Sequence, residues 1–386
     1  MPDLLAPTAA TEGVLRPTHL QVDLEQLARN LQALRAHVGG RAVMPILKAN
    51  AYGHGLVPVA RRLEQEGVDY LGVAYVEEGI LLRRAGIQSP ILVLGGILGD
   101  QVPLFIEHGL TLTASSVDKI RAIDAVASQL GRRARVHLKL DTGMERIGVH
   151  WYSADALCDA ALAARHVDVE GVYSHFARSE DEDPAYTATQ LSRFRDVLEA
   201  WAGRGLQPRY RHIANSGAVL QHPDAWFDMV RPGISLYGVS PGGDLSLPEG
   251  VRPALRWVSR VVYFKVVKPG NPVSYGSTWA PERMTRVVTV PVGYGDGYFR
   301  AMSDKAQVLI GGRRYPVVGR ICMDQLMVDI GDDSAFNGDE VVLLGSQGDA
   351  AITAEDLAGW ADSIPYEVLT NINTRVPRVY PDGGAA

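Results

Sequence analysis

Lys48 stands where an apolar run, Val43–Leu47, gives way to a glycine-containing loop, Lys48-Ala-Asn-Ala-Tyr-Gly-His-Gly55. An amine half removed from water at such a junction has a lowered pKa and suits Schiff-base chemistry. For one lysine taken alone, a rim position with the ammonium kept in water is the better account. Further along, Asn215-Ser-Gly217 and Arg231-Pro-Gly-Ile234 offer the Ser216 hydroxyl and backbone N–H groups near Gly233. Together these groups could cradle an anion. Ordinary turn chemistry explains Asn, Ser and Gly equally well. Combined, a strand-end lysine and a phosphate cradle suggest pyridoxal phosphate, whose aldehyde needs the first and whose anion needs the second.

Two glycine-flanked tyrosines lie nearer the C-terminus, in Ser274-Tyr-Gly-Ser-Thr278 and Gly293-Tyr-Gly-Asp-Gly-Tyr298. A tyrosine in a glycine turn can present its hydroxyl outward as an acid or base. Singly, each is better explained as a ring packed over a turn. Cys322-Met-Asp-Gln325 reads as a small functional turn or the start of a buried strand. The histidines are scattered, without His/Cys/Asp clustering at ligand spacing, so no metal site is expected.

What must position these residues is a rhythm of short apolar runs, each followed by a polar turn and usually a helical stretch. The runs are Ala42–Leu47, Tyr70–Ala74, Pro90–Leu94, Leu110–Thr113, Ala134–Leu140, Val169–Tyr173, Tyr210–Ala214 and Phe227–Tyr237. The intervening stretches include Leu56–Gln65, Val76–Ala85, Val117–Leu130, Ala154–Ala164 and Thr187–Ala202, and a first helix over Asp23–Val38 precedes them. On that helix Leu24, Leu27, Leu31, Leu34 and Val38 share one face. Buried strands alternating with helices indicate parallel βαβ units, and eight of them close a (β/α)8 barrel. Pro45 sits awkwardly in the first strand, and a doubly wound open sheet is the alternative. In a barrel, Lys48, Lys139–Arg146, Ser174–Phe176, Asn215–Gly217 and Arg231–Ile234 fall at the C-terminal strand ends, where barrel active sites are built.

The rhythm breaks at the Pro/Gly/Ser-rich stretch Ser240–Gly250, read as a linker. Beyond it, β-branched runs (Trp257–Val267, Thr285–Val292, Gln307–Ile310, Tyr315–Val318, Gln325–Ile330 and Glu340–Leu344) predict a mainly β domain with one helix, Ala354–Ser363, capped by Thr353. The expected division is a cofactor-binding (β/α)8 TIM-type barrel over 12–247 and a C-terminal β-strand domain over 248–386.

The 386 residues are 46% hydrophobic and 21% charged, a globular balance. Lys+Arg 38 against Asp+Glu 44 leaves −6, which disfavours nucleic acid as a partner. No apolar run is long enough to span a bilayer, and residues 1–20 carry no secretory pattern. Cys158 and Cys322 cannot form a disulfide framework. A cytoplasmic enzyme without membrane association is the expectation.

In order, Lys48–Gly55, Leu140-Asp-Thr-Gly-Met-Glu-Arg-Ile-Gly148, His175-Phe-Ala, Asn215-Ser-Gly, Arg231-Pro-Gly-Ile-Ser-Leu-Tyr-Gly238, Ser274–Thr278, Gly293–Gly297 and Cys322-Met-Asp324 resemble the motifs of bacterial alanine racemases. The resemblance runs from about Asp23 to Val379, and the ordered set is far more specific than any one motif. It implies a pyridoxal 5'-phosphate enzyme that interconverts L-alanine and D-alanine by two-base proton transfer and supplies D-alanine for cell-wall peptidoglycan.

By the same resemblance Lys48 carries the cofactor, Tyr52, Ser216 and the backbone at Gly233 and Ile234 hold its phosphate, and Asn215 is a further cofactor-binding residue. Arg231 faces the ring nitrogen, with His175 linking it toward Tyr275. Lys48 and Tyr275 are the two catalytic groups, Tyr275 coming from the partner of a head-to-tail homodimer with shared active sites. Arg146 and Met323 bind substrate, while Lys139, Tyr294 and Asp324 support the site and its entrance. Lys139 matches a lysine that is carbamylated in some members. Two positions depart from the family pattern: Thr374 replaces a tyrosine before Arg375-Val-Pro377, and Gly295 replaces a common alanine. The alternatives are a serine or broad-specificity racemase of this fold, a decarboxylase of basic amino acids, and a non-catalytic cofactor carrier.

Overall fold

The computed structural model describes residues 15–242 and 245–381. The outermost residues of both expected domains, and 243–244 of the expected linker, lie outside that range. Two compact units emerge. One comprises 26–51 and 56–252; the other comprises the chain up to 25, residues 52–55 and the chain from 253.

The first unit is a closed barrel. The eight described strands of its ring are Ala42–Val43, Leu71–Val73, Ile91–Val93, Leu112–Ala114, Ala134–Asp141, Val167–Tyr173, Tyr210–His212 and Met229–Val230, and a short ninth, Val149–His150, pairs with the end of Ala134–Asp141 off the ring. Each ring strand coincides with one of the eight apolar runs. Neighbours pair in parallel around the ring, and the last returns to the first through Met229↔Ala42 and Val230↔Val43. Single bridges, Ile46↔Gly72 and Leu92↔Thr111, join two of the gaps. The Arg231 N–H to Ala214 carbonyl bond of 3.0 Å joins the third. Pro45 ends the first strand early, yet its carbonyl still accepts from Gly72 N at 2.9 Å, so the ring survives a residue that cannot donate.

Helices Leu56–Gln65, Val76–Arg84, Val102–Glu107, Val117–Gln129, Asp155–Ala163, Ala185–Gly203 and Ser216–Gln221 make the crossovers. Val102–Glu107 and Ser216–Gln221 escape the periodicity because neither is long enough to establish it. Leu27, Leu31 and Leu34 are buried along one face of the first helix, Leu24–His37, and Val38, just past its end, is buried as well. Each buried leucine contributes about 2 kcal/mol of apolar transfer.

The second unit is mainly β. One sheet runs in the order Arg313–Pro316, Gln307–Ile310, Glu340–Gln347, Leu255–Arg260, His19–Val22, Arg378–Val379, with Ala350–Ile352 on the third strand. A second holds Tyr263–Val267, Thr285–Val290 and Leu326–Gly331. The run read as Trp257–Val267 is therefore two strands in two sheets, broken at Val261-Val262. Continuous β-branched composition conceals such a corner. His19–Val22 pairs antiparallel with Leu255–Arg260 although it falls in the stretch read as barrel. Thr353 caps Ala354–Ala361, its hydroxyl accepting from Asp356 N at 3.0 Å. Among the described residues no helix is long and apolar enough to cross a membrane.

Candidate active site

At the C-terminal end of the first barrel strand the chain makes one left-handed helical turn. Ala49, Asn50 and Ala51 have φ of 55°, 56° and 53°, and Tyr52 follows at 51°. Each non-glycine residue held there costs about 1–2 kcal/mol relative to a right-handed turn. Specific bonds hold the turn in place. Glu78 accepts from Ala49 N at 2.7 Å and from Ala74 N at 2.7 Å. Asn50 Oδ1 accepts from Leu56 N at 2.8 Å, fixing the start of the next helix. Lys48 precedes this turn. Desolvation at the barrel end, then the charge of Arg146, holds its amine below the ordinary lysine value, with Glu78 opposing.

The strand Ala134–Asp141 sends His137, Lys139 and Asp141 to one face, as residues two apart must be. Asp141 accepts from Gly143 N at 2.8 Å and Met144 N at 2.9 Å through one oxygen, and from Arg146 N at 3.1 Å through the other. That turn fixes the backbone that carries Arg146. Lys139 is buried, its ammonium 4.8 Å above the Tyr173 ring. Burial, then Arg231, draws its pKa well below the ordinary lysine value.

Arg231 is buried and sits among neutral acceptors. Its Nη1 donates to His212 Nδ1 at 2.9 Å. Its Nη2 donates to Ser174 O at 2.8 Å and His175 Nδ1 at 3.1 Å. Burial pulls the guanidinium down to about 10, still a cation at neutral pH. Burial and that same cation push His175 well below the ordinary histidine value, so its imidazole is neutral. Asn215 caps the helix Ser216–Gln221, accepting from Ala218 N at 3.2 Å. Ser216 Oγ accepts from Gly233 N at 2.9 Å and Ser235 N at 3.3 Å, which draws Asn215–Ser216 and Gly233–Ile234 into one buried corner. Ile234 opens the short turn Ile234–Tyr237 there.

The barrel unit thus brings together Lys48, Lys139, Arg146, His175, Asn215, Ser216, Arg231, Gly233 and Ile234. Tyr52 ends the left-handed turn, buried, its ring 6.1 Å from that of Tyr366. Desolvation pushes its phenol pKa upward.

In the β-rich unit three loops converge. Ser274 (φ 66°) and Gly276 (φ 74°) bracket Tyr275, which is 72% exposed. Ser274 Oγ donates to Arg320 O at 2.6 Å. Tyr294 N and Gly295 N donate to Cys322 O and Met323 O at 3.0 and 2.9 Å, so Tyr294 and Met323 stand side by side. A side chain at Gly293 would sit 2.2 Å from Cys322 O, and one at Gly295 2.9 Å from Arg375 Nη2. Arg375 bonds Asp296 at 2.7 Å and Asp324 at 2.6 Å, and Arg16 bonds Asp296 from another side at 2.7 Å. Burial works to raise the Asp296 pKa, but these partners win and hold it below the ordinary carboxylate value.

Motif reading passed over Glu78, His137 and His212, and gave no role to Asp141, Asp296 and Arg375 although they stand in the motifs. Asp141 carried a signal, since Asp-Thr-Gly is a turn formed on the aspartate's own side chain. The others act through partners distant in sequence.

The family model described as alanine racemase, N-terminal domain, matches residues 22–241, and its C-terminal counterpart matches 254–380. An alanine racemase of Symbiobacterium thermophilum is 45% identical over 95% of this chain and 97% of its own. The chain belongs to the alanine racemase family. A Thermobifida fusca member is 42% identical over 93% of this chain and 97% of its own. Solved structures agree. The alanine racemase from D-cycloserine-producing Streptomyces lavendulae superposes with a TM-score of 0.92 at 40% identity, covering 95% of this chain and 98% of that one. That of Streptomyces coelicolor A3(2) gives 0.92 at 39%, covering 97% and 100%. Membership makes the chain an isomerase acting on amino acids.

Proposed function

We propose that the chain interconverts L-alanine and D-alanine with pyridoxal 5'-phosphate, using Lys48 and the partner copy's Tyr275 as its two proton-handling groups. The gathering of nitrogen donors at the barrel end, with no carboxylate among the described residues left free to pair with them, carries this reading. Lys48, Lys139, Arg146 and Arg231 gather there, while the nearby carboxylates Asp141 and Glu78 are spent on backbone N–H groups. Such a donor set fits a cofactor bearing a phosphate and a phenolate and a substrate bearing a carboxylate.

Lys48 would carry the cofactor through Nζ. Tyr52, Asn215, Ser216 and the Gly233–Ile234 backbone would hold its phosphate end, and Arg231, with His175, its ring nitrogen. Bound there, pyridoxal phosphate supplies an electron sink that acidifies the α-hydrogen of an amino acid. Inversion needs a proton taken from one face of Cα and one returned to the other. Lys48, its amine held below the usual value, serves one face and the Tyr275 phenol the other. Arg146 and Met323 bind the substrate, Lys139 positions Arg146, Tyr294 with Met323 narrows the entrance to favour a methyl side chain, and Asp324 supports that entrance.

A homodimer would supply this division of labour, and exposed apolar surface supports one. Tyr275, Met284, Tyr294 and Met323 are exposed on the β-rich unit, as are Phe264 and Val266 on the edge strand Tyr263–Val267. Surface of this kind asks for a covering partner. We further assign 12–247 to the barrel domain and 248–386 to the β domain, with His19–Val22 lent to the latter. The enzyme is cytoplasmic and feeds peptidoglycan synthesis.

An absorbance spectrum before and after borohydride, with peptide mapping, tests the reading. The reduced adduct is expected on Lys48; an adduct elsewhere overturns it. Tyr275→Phe should keep the spectrum and lose about a hundredfold or more in turnover, whereas a carrier protein would lose nothing. Parallel assays of alanine, serine and lysine decide substrate range.

A further inference from the structure

Behind Arg231, deeper in the barrel, two histidines form a chain. His212 Nδ1 accepts from Arg231 Nη1 at 2.9 Å, and His212 Nε2 lies 2.8 Å from His137 Nδ1. Both rings are fully buried. Proton positions along the chain follow from chemistry. A guanidinium only donates, so His212 Nδ1 must be bare. A neutral imidazole bare at Nδ1 carries its proton on Nε2, which therefore donates to His137. His137 must then be bare at Nδ1 and protonated at Nε2. Burial, then Arg231, holds His137 at about 3 and His212 well below the ordinary value, so neither ring takes a second proton.

Packing holds the geometry. The Tyr173 ring stacks on His212 at 4.9 Å with planes 6° apart. Gly171 pairs with His137 across the strands, and a side chain there would come within 2.6 Å of His137 Nδ1. The glycine leaves that nitrogen open to His212. A carboxylate behind Arg231 would orient it but cancel its charge. Two neutral imidazoles orient it and leave the charge intact.

We propose that His137 is a positioning residue for the reaction, fixing the tautomer of His212 and so aiming an uncompensated Arg231 at the ring end of the cofactor site. This rests on the reading that Arg231 faces the cofactor ring nitrogen.

The test uses the cofactor-loaded enzyme carrying isotopically labelled histidine. Two-bond nitrogen–proton spectra at neutral pH should give both His137 and His212 as neutral rings protonated only at Nε2. A His212 protonated at Nδ1, or at both nitrogens, overturns the proposal without any variant having to fold. In kinetics, His137→Asn keeps an acceptor oxygen where Nδ1 stood, whereas His137→Leu removes it. Loss of one net hydrogen bond predicts about a tenfold fall in kcat for His137→Leu with KM for alanine within about twofold, and recovery to within about threefold in His137→Asn. Equal kcat in the two variants also overturns it. Failure of the cofactor reading would appear separately, as the absence of a reduced adduct on Lys48.

Discussion

At the scale of single residues, the charge that Arg146 places near Lys48 has a measurable sign. Desolvation and then Arg146 lower the Lys48 pKa, while Glu78 raises it. Only the free amine attacks an acylating reagent, so a lowered pKa makes Lys48 of the cofactor-free protein react at lower pH than a surface lysine. Arg146→Gln removes one of the two leading causes, and the reaction midpoint should move upward in pH. Peptide-resolved acylation rates from pH 6 to 11 would measure it. A midpoint that stays put or falls would mean that Arg146 does not act on Lys48. Arg231 also lowers the Lys48 pKa, but by less than Arg146 does, so its removal should move the midpoint less.

At the scale of elements, two short segments support the proposed site, and both can be perturbed without entering it. The left-handed turn after Lys48 holds Ala49 at a φ of 55° with its side chain exposed. Ala49→Gly relieves left-handed strain and gains unfolded-state entropy, terms that nearly cancel, so stability by urea unfolding should change by less than about 1 kcal/mol. Ala49→Val puts a β-branched residue where its Cβ clashes and should cost about 2 kcal/mol or more. In the second segment, Asp296 ties the Tyr294 loop to Arg375 and Arg16. Asp296→Asn should destabilise by about 2 kcal/mol at pH 7, less than a fully buried pair because the arginines are partly exposed. The native pKa lies below the ordinary 3.8, so the carboxylate's contribution is complete above that value and is lost as pH falls beneath it. The gap between the two proteins should therefore narrow in unfolding at pH 3; a constant gap would mean that charge is not what the mutation removes.

These elements differ in how far composition and spacing reveal them. Each barrel strand is a local event, an apolar run stopped by a polar turn, so all eight could be read directly and with them the strand ends that carry Lys48, Arg146 and Arg231. The left-handed turn could not, because Ala-Asn-Ala-Tyr offers no glycine to announce positive φ. His19–Val22 is hidden for another reason: its partners Leu255–Arg260 and Arg378–Val379 lie at the far end of the chain. His137 and His212 look like ordinary strand histidines until the ring of strands closes and turns both inward.

At the scale of the whole molecule, the decisive question is whether one copy completes the other's site. Exposed Tyr275, Tyr294 and Met323 on the β-rich unit are the groups a second copy would receive. Lys48→Ala and Tyr275→Phe separately disable the two proton-handling groups, so each variant alone should be nearly inactive. In a mixed dimer with shared sites, the Tyr275→Phe copy supplies Lys48 to a site whose tyrosine comes from the Lys48→Ala copy. That site is whole, while the other lacks both groups. Random reassortment of equal amounts makes about half of the dimers mixed, each with one working site of two, so about a quarter of native activity should return on mixing. Were both groups drawn from the same chain, no mixture would contain a complete site and activity would stay at the level of the separate variants. The readout needs only conditions under which dimers exchange, verified by the appearance of a mixed species when one variant carries a mass tag.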